Sequence, residues 1–414
     1  MHFSHRTTAL LVAAAQAVSV VAVTTKGVAT SNYIEAADHA SIFTTHSFCE
    51  QATDLGEIRM NYATTGSSDK PALLLIPGQT ESWWGYEVVM WLLQKDYQVY
   101  AVDMRGQGRS TWTPGRYSLD NFGSDLVRFI DLVVKRPVVV AGLSSGGVMS
   151  AWLSAYAKPG QIVGAIYEDP PLFASEARPA VGQSVLQTVA GPYFDLWYKW
   201  LGGQWTIGDK TGMNSSTAKE IPPWIQQYLT PGQGPAGLDI DLDEYDPEWG
   251  HAFVTGSIGA ACDHQTLLTQ VKKDVPVFMT HHFAANDPTT GNLLGAVSAV
   301  QVGYVQDLIA ANGNGSFTLQ NFPTASHNLH GTQPAVYVEA ITSWMASNLT
   351  IGAVALNPSI DDVSSASASV AAASTAPPSC GTATVSGVAA TTTAGSAVLA
   401  STSTSAAVRR RQLF

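Results

Sequence analysis

The sequence predicts an α/β protein: a doubly wound, mostly parallel eight-stranded sheet with a largely helical cap inserted into it. Three observations carry this expectation. From about residue 45 to 350, short apolar runs alternate with segments of helical period. Over 171–260 the alternation breaks, and the chain becomes rich in Trp, Tyr, Gly and Pro with no sheet period. Finally, the β-branched run Pro137-Val138-Val139-Val140-Ala141 ends abruptly in Gly142-Leu143-Ser144-Ser145-Gly146-Gly147 and is followed by helical spacing from Val148 to Ala157.

The elements follow in order. Two opening strands are expected over His46–Ala52 and Glu57–Ala63, the second alternating through Ile58, Met60 and Tyr62. The run Ala72–Ile76 is apolar at every position, which suits a strand buried on both faces. A helix near 86–94, a strand over 98–102 and a helix over 119–134 come next; in the last, Leu126, Phe129, Ile130 and Val133 share one face. After the strand and helix around Ser144, a strand is expected over 162–167. Within the cap, helical pieces are read over 184–201 and 222–229. A helix near 265–272, a strand over 275–280, a helix over 294–311, a strand over 317–320 and a helix over 335–347 complete the pattern.

The chain has 414 residues, 45% of them hydrophobic, enough for a large core. Residues 1–25 have a basic start and an Ala-rich apolar run, the layout of a cleaved signal peptide and not of a membrane anchor. Residues 358–414 are almost entirely Ser, Thr, Ala, Val and Gly, and are expected to form a disordered tail; three closing arginines argue against a lipid-anchor signal. Sequons at Asn214, Asn314 and Asn348 are glycosylation candidates and agree with a secreted or cell-surface location. Three cysteines are too few for a disulfide framework, although one bridge between Cys49 and Cys262 would leave Cys380 free. No metal-ligand spacing is present, no cofactor is expected, and the acidic stretch 239–246 lacks the order of a calcium loop. A net charge of −11 without a basic patch argues against nucleic acid as a partner.

Chemistry concentrates at the turn after Ala141. A serine at the tip of a strand-to-helix turn sits in a strained backbone, and its flanks must be small; Gly142 and Gly146 occupy the two positions where a Cβ would clash. Ser144 is therefore the candidate nucleophile. Further motifs accompany it in order: Pro77-Gly78-Gln79-Thr80 after the third strand, Asp103-Met104-Arg105-Gly106-Gln107-Gly108-Arg109-Ser110 after the fourth, Asp287 after the strand ending at Thr280, and Ser326-His327 before the last helix. With these motifs, residues 45–350 resemble the α/β-hydrolase family.

The resemblance implies a site. A serine hydroxyl needs a base, and His327 lies where that family carries one, with His330 a turn later as its nearest competitor. The family pattern places the carboxylate that orients the histidine at Asp287; in some members it follows the preceding strand, where Glu168 and Asp169 are the alternatives. The oxyanion donors would be the amides of Ser145 and Gln79, although Pro77 stands where most relatives have His. His281 and His282 are expected to play a supporting or solvent role. Trp83, Trp84, Trp197, Trp200, Trp205 and Trp224 form a pool from which an apolar pocket could draw.

The implied activity is a secreted serine hydrolase acting on a small-molecule carboxylic ester or lactone through an acyl-enzyme, without a stable membrane anchor. Cleavage of a carbon–carbon bond beside a ketone by the same residues is the alternative chemistry. Epoxide hydrolases and haloalkane dehalogenases fit less well, because those relatives carry Asp at the position of Ser144. A binding module displayed on a glycosylated stalk is the alternative of a different class.

Overall fold

A computed structural model describes residues 46–202, 209–226, 242, 244–314 and 316–373. The leader, Trp205, most of the acidic stretch, and the tail beyond 373 with Cys380 lie outside the described residues.

Eight strands form one sheet in the order β1-β2-β4-β3-β5-β6-β7-β10, where β1 is Glu50–Asp54, β2 Arg59–Thr65, β3 Ala72–Ile76, β4 Gln98–Val102, β5 Val138–Leu143, β6 Ile162–Glu168, β7 Val277–His281 and β10 Phe317–Asn321. Only β2 pairs antiparallel to its neighbours β1 and β4; every other pair is parallel. Between β7 and β10 a small hairpin, β8 (Ala285–Asn286) with β9 (Leu293–Leu294), stands apart from the sheet.

Side-chain alternation divides the core in two. Leu74, Ile76, Val138 and Val140 face one layer, while Leu73, Leu75, Val139 and Ala141 face the other. The first layer is covered by α2 (Leu119–Phe129), α3 (Ser145–Tyr156), α8 (His264–Thr269) and α9 (Ala299–Ala311), and the second by α1 (Glu87–Leu93) and α11 (Pro334–Asn348). Because β3 and β5 are buried on both faces, their sequences read as unbroken apolar runs.

The motif that follows β4 builds the frame. Asp103 is buried and accepts from Asn61 Nδ2 at 2.8 Å, Trp83 N–H at 2.8 Å and Arg109 N–H at 2.9 Å. A Cβ on Gly108, whose φ is +53°, would lie 2.2 Å from that carboxylate, so the position admits only glycine. Arg105 is buried and grips both carboxylate oxygens of Asp125 in α2, at 2.7 and 2.8 Å.

The cap separates β6 from β7 and includes α4 (Ala190–Trp197), α5 (Lys210–Glu220), α6 (Pro223–Gln226) and α7 (Glu248–Thr255). Phe194, Trp197, Tyr245, Trp249 and Phe253 interlock within it. Trp83 and Trp84 do not belong to it: Trp83 donates to Glu50, and Trp84 stacks on His46.

Three sequence expectations change. The tail was expected to lose order from 358, yet Ile360–Ala373 forms a helix, α12, that packs on α1 and buries Ala366. Its start is capped reciprocally, with Ser359 N–H and Oγ both 2.7 Å from Asp362 Oδ2, and its Ala-rich body favours helix. Cys49 is engaged in a disulfide, but Cys262 is a buried free thiol, so the two are not joined. Asn314 is 1% exposed, with its amide nitrogen donating to Lys272 O and Val275 O, both at 2.9 Å; it is a structural side chain with no room for a glycan. Asn214, on α5, and Asn348, at the end of α11, are exposed.

Candidate active site

The candidate residues gather beyond the carboxyl ends of the parallel strands. Ser144 caps β5 with φ +55° and ψ −120° and leads directly into α3. A Cβ on Gly142 would lie 2.1 Å from Gly146 O, and one on Gly146 would lie 2.2 Å from Ile76 O. Both glycines are therefore steric requirements of the turn. Strain of this kind recurs nearby: Thr80 (φ +70°) and Asp169 (φ +40°) also hold left-handed conformations that non-glycine residues avoid.

The imidazole of His327 sits in the loop between β10 and the short helix α10 (Leu329–Thr332). Its Nδ1 lies 2.7 Å from Oδ2 of Asp169, the first residue after β6. The carboxylate on the histidine is thus Asp169, and Asp287, the expected partner, is not on it. The Asp287 side chain turns into its own loop, where Oδ1 accepts from Thr289 N–H, Thr290 N–H and Thr290 Oγ at 3.2, 2.7 and 2.7 Å. Pro288 and the β8–β9 hairpin fold that segment back on itself.

Asp169 is 1% exposed and richly held. Its own N–H donates to Thr280 O at 3.1 Å, and its Oδ1 accepts the N–H of His282 at 3.1 Å. Burial pushes its pKa up, but the bond with His327 and the nearby His282 outweigh that and hold it below the usual Asp value. Conversely, burial pulls His327 down, yet its bond to Asp169 and the charges of Asp169, Glu81 and Glu168 leave it above the ordinary histidine value of 6.5. His282 braces both partners of this contact. Its Nδ1 lies 2.9 Å from Ser326 O and 3.0 Å from His327 O, and its Nε2 lies 2.9 Å from Thr280 Oγ1.

The two amides expected as oxyanion donors, those of Ser145 and Gln79, belong to segments that flank Ser144. Ser145 N–H opens α3, where first-turn amides have no intrahelical acceptor. The Pro77-Gly78-Gln79 loop passes close over the serine, since a Cβ on Gly78 would be 3.4 Å from Ser144 Cβ. The Gln79 side chain reaches the cap and donates to the hydroxyl of Tyr245.

Glu168, the other sequence alternative, gives its carboxylate to His330. It accepts the His330 N–H at 3.0 Å, while its second oxygen lies 2.9 Å from His330 Nδ1. That ring is buried and stacks on Tyr86, which holds His330 in the core with its Nδ1 committed to Glu168. Among the described residues, no group of three or more His, Cys, Asp or Glu is arranged to hold a metal ion, and no helix is long and apolar enough to cross a membrane.

Residues 73–340 match the model of the alpha/beta hydrolase family. The chain belongs to that family. Among curated proteins it is 31% identical over 102 residues to 3-oxoadipate enol-lactonase 2 of Acinetobacter baylyi, covering 24% of this chain and 38% of that protein. It is 32% identical over 108 residues to epoxide hydrolase 4 of Mus musculus, covering 26% and 30%. The chain thus spans only about a third of the length of these curated relatives. Among solved structures, a protein from Acinetobacter baumannii AYE provisionally assigned as a lipase superposes with a TM-score of 0.51 at 16% identity, covering 73% of this chain and 93% of that one. A hydrolase from Pseudomonas aeruginosa gives a TM-score of 0.48 at 20% identity, over 72% and 98%.

Proposed function

We propose that this α/β hydrolase is a secreted enzyme that cleaves a carboxylic ester or lactone through an acyl-enzyme on Ser144. The 2.7 Å contact between His327 Nδ1 and Asp169 Oδ2, with Asp169 directly after the residue whose carbonyl binds the Ser144 N–H, carries the reading. In it, Asp169 keeps the Nδ1 proton in place, which leaves Nε2 free to take the Ser144 proton as the hydroxyl attacks the carbonyl carbon. The developing oxyanion lies between the amides of Ser145 and Gln79. Protonated His327 then gives its proton to the departing alkoxide, and a water activated by the same nitrogen releases the acid.

Serine chemistry also separates this reading from epoxide opening. A carboxylate that opens an epoxide forms an ester that water can cleave, whereas a serine would form an ether that this machinery could not hydrolyse. The partial likeness to an enol-lactonase supports a lactone as one member of the substrate class. Secretion is proposed from the leader and from the exposed sequons Asn214 and Asn348.

The test is a fluorophosphonate probe with a panel of p-nitrophenyl esters and small lactones, applied to the native protein and to Ser144→Ala. Labelling and turnover that vanish in the variant are expected. A folded native protein that neither labels nor hydrolyses would transfer the weight to the binding-module reading.

A further inference from the structure

Glu81 takes no part in the triad, yet its carboxylate lies between the two loops on which the reaction depends. It is 5% exposed. Oε2 accepts the Gly78 N–H at 3.1 Å, and Oε1 accepts Asn328 Nδ2 at 2.9 Å. Gly78 precedes the oxyanion donor Gln79, and Asn328 follows His327. Asn328 in turn caps α10 by accepting the Gly331 N–H at 2.6 Å. The neighbouring Glu168 joins the third loop, because its side chain binds His330 while its backbone oxygen accepts the Ser144 N–H at 2.9 Å.

We propose that Glu81 is a positioning residue of the reaction: its carboxylate ties the oxyanion loop to the loop carrying His327, and its negative charge supports the imidazolium formed there. The assignment rests on the acyl-transfer reading of Ser144. Both oxygens of Glu81 are occupied by N–H donors, a demand that an ionised carboxylate meets and an amide does not. An amide at this position would accept from one loop and present its own donor to the other.

The charged and titratable groups around Glu81 are His327 and His330 from the loop and helix after β10, Glu168 from β6, and the Tyr86 hydroxyl from its own segment. Burial raises the pKa of Glu81; the His330 charge and the Gly78 N–H oppose this, and Glu168 reinforces it. Glu81 is in turn one of the charges that hold His327 above its ordinary value. Removing that charge makes the imidazolium easier to deprotonate.

The experiment compares native protein with Glu81→Gln by steady-state kinetics across pH and by imidazole NMR titration of His327. The expected result is a kcat lower by roughly 10- to 100-fold, short of the ~10²–10³ for deleting an oxyanion donor outright, with KM little changed. The acid limb of kcat/KM and the His327 titration should both move to lower pH. Should Glu81→Gln fail to fold, Asn328→Ala cuts the same tie from the other side and keeps the charge, so kcat should fall while the His327 titration stays at the native position. Native kcat in either variant, or an unmoved His327 titration in Glu81→Gln, overturns the proposal. The NMR titration is also made in Ser144→Ala. If the native chain proves inactive, the acyl-transfer reading fails separately and the titration still decides whether Glu81 acts on His327.

Discussion

Replacing Asp169 by Asn is the perturbation that most directly tests the acid assignment. The side chain keeps its shape, and Oδ1 can still accept the His282 N–H at 3.1 Å. At Oδ2, however, an NH2 group replaces the acceptor that faces His327 Nδ1 at 2.7 Å. A donor there forces Nδ1 to accept, which moves the imidazole proton to Nε2, the nitrogen that must take the proton of Ser144. Loss of the correct tautomer together with the buried charge is worth about 10⁴ in kcat, or about 5.5 kcal/mol of barrier. Asp287→Asn is the companion. Its Oδ1 contacts to Thr289 and Thr290 survive in the amide, so kcat should stay within a few-fold of native. The assay is kcat and KM on a p-nitrophenyl ester, with thermal unfolding to confirm that both variants fold. Activity of Asp169→Asn within ten-fold of native, or a loss in Asp287→Asn as deep as that expected for Asp169→Asn, would refute the reasoning.

Because the His327 pKa is raised, kcat/KM should rise with pH through a midpoint above 6.5, as a pH–rate profile would reveal; a midpoint below that value contradicts the assigned environment. His264 is buried, accepts the Phe173 N–H through Nδ1 at 2.7 Å, and has its pKa pulled by burial down to about 4. Its neutral form belongs to the fold, so its contribution is complete above pH 6.5 and declines toward pH 4 by about 3 kcal/mol; in urea unfolding across that window, stability should fall less steeply toward low pH in His264→Gln than in the native protein. Asn314→Asp removes two donated hydrogen bonds in the core and should cost about 2–4 kcal/mol in chemical denaturation, while glycan mapping of secreted protein should leave Asn314 bare.

What could be read from sequence was what backbone sterics and burial write locally. The apolar runs of β3 and β5 announced strands buried on both faces, and Gly142 and Gly146 announced the elbow because no other residue fits there. The place of His327 between the last strand and the last long helix singled it out among the histidines, and the structure sets it on a buried carboxylate. The choice between Asp287 and Asp169 was not, since both follow a parallel strand and only tertiary geometry decides which carboxylate turns toward the ring. The signal available was Glu168-Asp169-Pro170-Pro171, a pair of acids at a strand end where two prolines enforce an immediate turn. Helix α5 carries almost no apolar period, so nothing in its sequence marked it. Helix α12 was hidden by a composition that also suits a disordered tail.

Ser144 and Asp169 are linked by one rung of backbone pairing, since the Ser144 N–H binds the carbonyl of Glu168, the residue just before the acid. Ser144 and Asp169 therefore ride on adjacent strands as parts of one stiff lattice, which His282 braces from the end of β7, while the hairpin farther on, around Asp287, binds neither of them. That segment is left with a different task. The hairpin around Asp287 meets the cap through the Thr188–Leu293 bridge and the bond from Gln183 to Gly291 O. It serves as an abutment for the roof, so changes in its length should retune which molecules enter while the chemical step keeps its pace.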